Sequence, residues 1–237
     1  MRWQQAQGTL VPCLHISWYN RDGDRGMTNQ ALQRLRVEKI HVAPRALELS
    51  PQAARQRFAA MWAPLEELLQ RLSPIPPGLV RFWLDRPGGH VVITHRLSTY
   101  VPGRHVLGPS ALVNVAFVSV GDLASGGPDS LVPIGHLLDH QLGNGGEAGG
   151  PWLSEGGGFT ERLREVGRRV AGQFPLGHAF DVAASVNPRA YWARSVAQYL
   201  YNRSALNLAD PLMERLLHST VFAGDFWRPE GISVRHG

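Results

Sequence analysis

Apolar positions along the chain predict several amphipathic helices. Between residues 51 and 72 they recur every third or fourth position, which is the spacing of one helix face. Ser50 before Pro51 is typical of a helix start, because serine caps free amides and proline fits the first turn. Pro64 predicts a bend in this helix. The same spacing predicts four later helices, the last two introduced by Asn-Pro and Asp-Pro pairs, over about residues 131–142, 160–171, 188–201 and 211–222.

Between residues 79 and 120 the pattern changes to short runs of β-branched and aromatic residues separated by glycine and proline. Such runs favour the strands of a small sheet. The predicted strands cover residues 80–84, 90–94 and 113–120. Earlier in the chain, residues 21–26 predict a turn between short apolar stretches that resemble strands. A helix, a sheet and several further helices in this order predict an α+β fold.

The prolines of residues 73–78 end the first predicted helix, because proline removes an amide donor and restricts the residue before it. They predict a linker or a tight crossover. We therefore divide the chain into an N-terminal region, residues 1–78, with its helix at about 51–72, and a domain over residues 79–237.

Composition favours a folded chain outside the membrane. The 237 residues are 43% hydrophobic and 18% charged, and no window approaches the ~20 apolar residues of a membrane span. The first residues lack the apolar stretch of a signal peptide. The single cysteine, Cys13, has no partner for a disulfide. We therefore expect a cytoplasmic protein with no membrane partner.

The charge balance leaves nucleic-acid binding open as an alternative. The net charge is +5, the pI is about 10.0, and every basic residue except Lys39 is an arginine. The densest basic stretch lies in one predicted helix and alternates with two glutamates, Glu161 and Glu165. Its arginines are Arg162, Arg164, Arg168 and Arg169. This alternation favours a solvated helix face over a phosphate-binding surface.

The most distinctive motif lies in the helix predicted at residues 131–142, which reads LVPIGHLLDHQL. It resembles the active-site helix of the zincin metallopeptidases, HExxH, in its extended form HExGHxLDH. In that family two histidines four residues apart bind zinc, and the glutamate after the first is the general base. The resemblance implies a zincin-like fold, with a small mixed sheet, an active-site-type helix and several following helices.

A second stretch, residues 187–199, reads NPRAYWARSVAQY and resembles the segment NPxEYFAExFAxY of the glutamate-zincin branch. That segment supplies the third zinc ligand of the branch. Ala190 and Arg194 stand at its two glutamate positions. Alanine has no donor atom for a metal, and a guanidinium repels one.

The first motif is also degenerate where zincin chemistry needs it. Aligning His136 with the second zinc histidine places Val132 at the first histidine and Pro133 at the general base. The vestigial active-site positions are Val132, Pro133, His136, Ala190 and Arg194. We therefore expect a catalytically inactive zincin-like homologue that acts as a binding or structural protein, with no catalytic residue and no cofactor.

Two other interpretations of the first motif stay open. His136 and His140 are themselves four residues apart and could form a shifted zinc site with Asp139 nearby, as in a metal-dependent peptidase. Against this, Leu137 stands where the general base would follow the first histidine. Alternatively, an apolar helix with two histidines is simply part of the core.

The expected partner of an inactive homologue is a protein or peptide segment. Active zincins bind extended peptide along the edge strand of their sheet, and residues 113–120 are the predicted edge, with Val113, Val115 and Phe117 as candidate contacts. Binding there would add a strand to the sheet. The competing expectation is nucleic acid held by arginines, with an affinity that falls steeply with salt.

Overall fold

The structure is a computed structural model that describes residues 23–107, 110–176 and 181–228. Its first half contains both helices and strands, and helices dominate its second half. In chain order the described elements are α1 (Gly23–Glu38), β1 (Ile40–Val42), α2 (Gln52–Arg57), α3 (Ala63–Leu72), α4 (Pro77–Leu84), β2 (His90–Thr94), β3 (Thr99–Leu107), β4 (Ser110–Ser119), α5 (Val120–Ser125), α6 (Val132–Asn144), α7 (Glu161–Gln173), α8 (Pro188–Ala209) and α9 (Pro211–Ser219).

The four strands form one mixed sheet in the order β1-β2-β4-β3. Strands β1, β2 and β4 are parallel, and β3 runs antiparallel to β4. The predicted α+β class is therefore confirmed. No helix among the described residues has both the length and the apolar character needed to cross a membrane.

One large apolar core joins the helices to one face of the sheet. It extends from Leu35 in α1 through Leu68 in α3 and Ile93 in β2 to Leu137 in α6 and Val196 in α8. Strand β1 pairs with β2, so the N-terminal part contributes directly to the sheet. The predicted boundary between residues 78 and 79 therefore does not coincide with a division of this core.

Helices α6 and α8 pack against each other at very short range. At Gly135 a Cβ atom would come within 2.7 Å of Ala193 Cα and closer still to the carbonyl oxygen of Ala193. Only glycine allows this approach, because real side chains do not tolerate such contacts with backbone. The crossing brings the first turns of both helices to the same end of the molecule.

One of the strands predicted for the first half of the chain is wrong. Residues 80–84 are not a strand but the end of α4, in which Leu79, Val80, Trp83 and Leu84 bury one face. A short apolar run alone does not distinguish a strand from a buried helix. Pro77 at the first helical position is the local feature that favours the helix.

The single helix predicted at 51–72 is two helices, α2 and α3. Phe58 follows α2 with an extended backbone (φ −102°, ψ 98°) and a buried side chain. Pro64 does not bend a continuous helix but lies in the first turn of α3. A proline inside a helix would lose a backbone bond and clash with the preceding turn, so the chain begins a new helix there.

The turn predicted at residues 21–26 is also wrong where it can be compared, because α1 begins at Gly23. The helix buries Ala31 and Leu35 in the core, and this packing outweighs the local preference of its glycines. Residues 21 and 22, the apolar stretch before them and Cys13 lie outside the described residues.

The edge strand was placed wrongly as well. Strand β4, which carries Val113, Val115 and Phe117, lies between β2 and β3, so both of its backbone edges are occupied. The edge strands are β1 and β3, and β3 is the one next to β4. Its Pro102 and Gly103 argue against a strand in the sequence. They are tolerated because the strand is at an edge and the β3–β4 register shifts between Val101 and Arg104.

Replacing Gly135 by alanine should weaken the fold, because the added methyl group would push α8 away from α6. We expect a loss of about 1–3 kcal/mol in the free energy of unfolding, as for other overpacked cores. Urea denaturation measures it. Gly172→Ala in α7 is the matched control, since a Cβ atom there meets nothing within 4 Å. Equal stability of Gly135→Ala and wild type would contradict the close crossing.

Candidate functional site

A cleft of about 630 Å³ opens where α6, α8 and the edge strand β3 meet. The first two turns of both helices form its floor, and β3 forms one side. The lining residues include all five vestigial positions. They are Ser98, Thr99, Tyr100, Pro102, Asp122, Asp129, Val132, Pro133, His136, Trp152, Ala183, Asn187, Arg189, Ala190 and Arg194. The structure thus brings together two motif regions that lie more than fifty residues apart in the sequence.

The local structure at the start of α6 explains why a proline is accommodated at position 133. A 3₁₀ turn, Pro128–Leu131, precedes the helix, which begins at Val132, so Pro133 lies in its first turn. Arg71 of α3 holds this turn, with its guanidinium donating to the Gly127 carbonyl (2.9 Å) and to Ser130 Oγ (2.8 Å). Pro133 therefore loses no helical hydrogen bond, and its side chain offers the cleft an apolar surface.

The start of α8 is capped as the sequence predicts. Asn187 Oδ1 accepts from the Ala190 amide at 2.8 Å, and Pro188 occupies the first helical position. This start places Ala190 and Arg194, one turn apart, on the cleft. Arg194 pairs through Nη1 with Asp129 (3.0 Å) and through Nε with Asp181 (3.4 Å).

His140 does not share the cleft with His136. Its Nε2 lies 2.9 Å from the Glu147 carbonyl oxygen, which only accepts, so Nε2 carries the proton. Its Nδ1 then accepts from the Tyr100 hydroxyl at 2.7 Å. Both nitrogens are engaged, and burial lowers the pKa of His140. A neutral His140 with no free lone pair does not fit the shifted zinc site.

His136, in contrast to His140, lies at the floor of the cleft and has unused ring nitrogens. Neither ring nitrogen has a hydrogen-bond partner among the described residues. Burial, followed by the positive charges of Arg189 and Arg194, lowers the pKa of His136 to about 4. At neutral pH the imidazole is therefore uncharged and offers one N–H donor and one acceptor to the cleft.

The segment after α6 forms a rigid wall of the cleft. The fully buried carboxyl of Asp139 accepts from the Ser154 amide (2.8 Å) and from Ser154 Oγ (2.7 Å). Burial raises the pKa of Asp139 to about 8. These bonds place Trp152 between the His140 ring, 4.6 Å from its own, and the Arg189 guanidinium at 4.0 Å.

Arg189 is itself held by Glu155, which it contacts through Nε (2.8 Å) and Nη2 (3.0 Å). Such a two-point pair fixes the plane of the guanidinium above Trp152. Tyr100 packs edge-on against the same indole, with ring centroids 5.7 Å apart. Sequence reasoning missed Tyr100 and Trp152, because both reach the cleft through contacts across 12 to 52 residues that leave no local pattern.

Asn114 joins two of the segments that form the cleft. Its backbone is left-handed (φ 57°) at the irregularity of the β3–β4 pair. Its Oδ1 accepts from the Gly103 amide at 2.7 Å, and its Nδ2 donates to the Gly146 carbonyl at 2.6 Å. One side chain thus joins the edge strand to the segment that follows α6.

A zinc ion does not fit the residues of this cleft. His136 is the one lining residue with a free imidazole, Val132 and Ala190 have no donor atoms, and Arg194 brings a positive charge. Across the described residues no three His, Cys, Asp or Glu side chains are grouped so as to hold a metal ion. The cleft therefore has binding groups and lacks zincin ligands.

The arginines of α7 largely interact within the protein. Arg164 pairs with Glu161, and Arg168 pairs with both Glu161 (3.3 Å) and Glu165 (2.9 Å). Arg162 donates to the Phe226 carbonyl at 2.7 Å. These contacts agree with a solvated helix face and give no specific support to nucleic-acid binding.

The state of His136 predicts a pH dependence of stability. In the unfolded chain its pKa is near 6.5, and in the fold it is about 4. Between these values the unfolded state binds a proton that the folded state does not, so stability should fall as the pH falls. Urea denaturation across this window measures the slope, and His136→Gln should reduce it. An identical slope in wild type and variant would contradict a buried, neutral His136.

The sequence matches no family model, and comparisons with curated proteins and with solved structures find no match. The resemblance to zincins therefore rests on the two sequence motifs and stays a prediction.

Proposed function

We propose that this protein is a catalytically inactive zincin-like homologue that binds an extended peptide segment in the cleft between β3, α6 and α8. The observation that carries the proposal is the placement of the two motif regions. All five vestigial positions line one cleft beside an edge strand. The residues that remain there suit binding, whereas those that zinc chemistry would need have been replaced.

The edge strand supports binding of an extended partner. β3 has β4 on one side only, and Thr99, Tyr100 and Pro102 line the cleft. A proline in an edge strand directs its nitrogen away from the neighbouring strand. Backbone groups alternate in direction along a strand, so Tyr100 directs its N–H and C=O to the same outer side. We therefore expect a partner strand to pair at Tyr100.

The walls support binding without rearrangement. Trp152 is held on both faces, Arg189 is held by Glu155, and the Asp139–Ser154 bonds fix the segment that carries them. A cleft whose side chains are already ordered loses little conformational entropy when a ligand binds. Exposed aliphatic side chains next to the lining add apolar contact area at the rims. They are Leu97 on the β3 side and Val182 and Val186 before α8.

Peptide hydrolysis is disfavoured by the same residues. A zincin activates a water on its metal and transfers the proton to a glutamate. Pro133 at the position of that glutamate has no proton acceptor. Ala190 and Arg194 stand at the two glutamate positions of the second motif, and whichever of them corresponds to the ligand, neither can bind a metal. The cleft thus retains a shape for peptide and lacks the means to cleave it.

Peptides selected from a random library on the immobilised protein provide the test. Ala190→Trp should fill the cleft and lower their affinity by about tenfold or more, equivalent to about 1.4 kcal/mol, in fluorescence polarisation. Ala209→Trp, exposed on the same helix outside the cleft lining, is the control. In NMR spectra the amide signals of Thr99, Tyr100 and Val101 should shift on binding. Peptides that bind both variants equally would contradict the proposal.

Restoring the zincin residues tests the resemblance itself. The combined variant Val132→His, Pro133→Glu, Ala190→Glu and Arg194→Glu should bind zinc more tightly than wild type, whereas each single change should do little. A tetrahedral site needs three converging protein ligands. Calorimetry measures the affinity, and the melting temperature shows that the variant is folded. A folded combined variant with no gain in zinc affinity would mean that the backbone here differs from that of a zincin.

A further inference from the structure

We infer that the segment bound in this cleft presents a carboxylate to Arg194 and His136, an inference that rests on the proposed function. Both side chains lie on the cleft floor with hydrogen-bonding atoms left unused. The carboxylate is either the C-terminus of a peptide or an aspartate or glutamate side chain.

Arg194 has donor capacity directed to no described residue. Nη1 and Nε pair with Asp129 and Asp181, and Nη2 has no partner among the described residues. The side chain is 23% exposed, so its charge is only partly hydrated. Ala190, one turn earlier on the same helix, has only a methyl group, which leaves room beside the guanidinium. Hydrogen bonds from a guanidinium to a carboxylate are among the stronger ones in proteins.

His136 supplies the second donor. Its neutral imidazole carries one N–H, and neither nitrogen is used by a described residue. The positive charges of Arg189 and Arg194 lower its pKa, after the larger effect of burial. Positive charges that disfavour protonation of His136 also favour a negatively charged group bound beside it.

The acidic residues of the lining orient the ligand. Asp129 is bound to Arg194 and its side chain is 68% exposed, whereas Asp122 on the α5 side has no ion-pair partner among the described residues. A carboxylate is therefore favoured on the α8 side and disfavoured near Asp122. Arg189 is already bound by Glu155, so the unused donor of Arg194 and the N–H of His136 are what favour an anionic group here.

Four short probes test the inference by NMR titration of the full chain. N-acetyl-Val-Phe acid carries a C-terminal carboxylate, and N-acetyl-Val-Asp-Val amide carries a side-chain one. Their neutral matches are N-acetyl-Val-Phe amide and N-acetyl-Val-Asn-Val amide. We expect one acid to bind about tenfold more tightly than its match, the effect of one hydrogen bond to a charged group. The acid that shows this preference identifies the source of the carboxylate.

Two variants with opposite effects locate the site. Arg194→Gln should abolish the preference for the acid. Asp129→Asn should raise the affinity of the acid by up to about fivefold, the worth of an exposed ion pair, because it frees Arg194 from a competing carboxylate. Since Asp129 is mostly exposed, this second variant should fold normally. A gain in affinity is also an effect that loss of structure would not produce.

If acids and amides bind equally and Ala190→Trp weakens both, the inference of a bound carboxylate is wrong. The proposal that the cleft binds peptide is then still supported. Failure of all four probes to bind would also overturn the carboxylate. The library-selected peptides and Ala190→Trp then decide the proposed function separately.

Discussion

The contact between Gly135 of α6 and the backbone of Ala193 in α8 is the constraint on which the site depends. It sets the distance and the crossing of the two helices, because nothing larger than hydrogen fits between them. This crossing places His136, Ala190 and Arg194 together on the floor of the cleft. The glycine lies outside the ligand positions of the zincin motif, and its role here is to bring the two helices together.

Around this crossing, polar contacts join the segments that form the cleft. Asp139 holds Ser154, Asn114 joins β3 to Gly146, and Arg194 joins the turn before α6 to Asp181. These bonds link residues 11 to 65 positions apart in the sequence, and each carboxylate or amide involved has a partner. These contacts within the chain therefore hold the walls of the cleft in place.

Elements with local capping residues could be predicted from the sequence, and elements fixed by tertiary pairing could not. The start of α8 at Pro188 followed from Asn187, and β2 followed from its β-branched run. β3 could not be predicted, because Pro102 is tolerated only at an edge that the sequence does not show. The two motif regions could be picked out only through a family resemblance. The position of Trp152 depends on the Asp139–Ser154 bonds, which leave no pattern in the sequence.

The central claim is that this scaffold keeps a zincin-type cleft and has exchanged metal chemistry for binding. Elemental analysis of protein purified without chelators tests it most directly, because a neutral His136 alone holds zinc only weakly. The account predicts far less than one zinc per chain, unchanged by His136→Ala. About one zinc per chain in the wild type, lost in that variant, would contradict it.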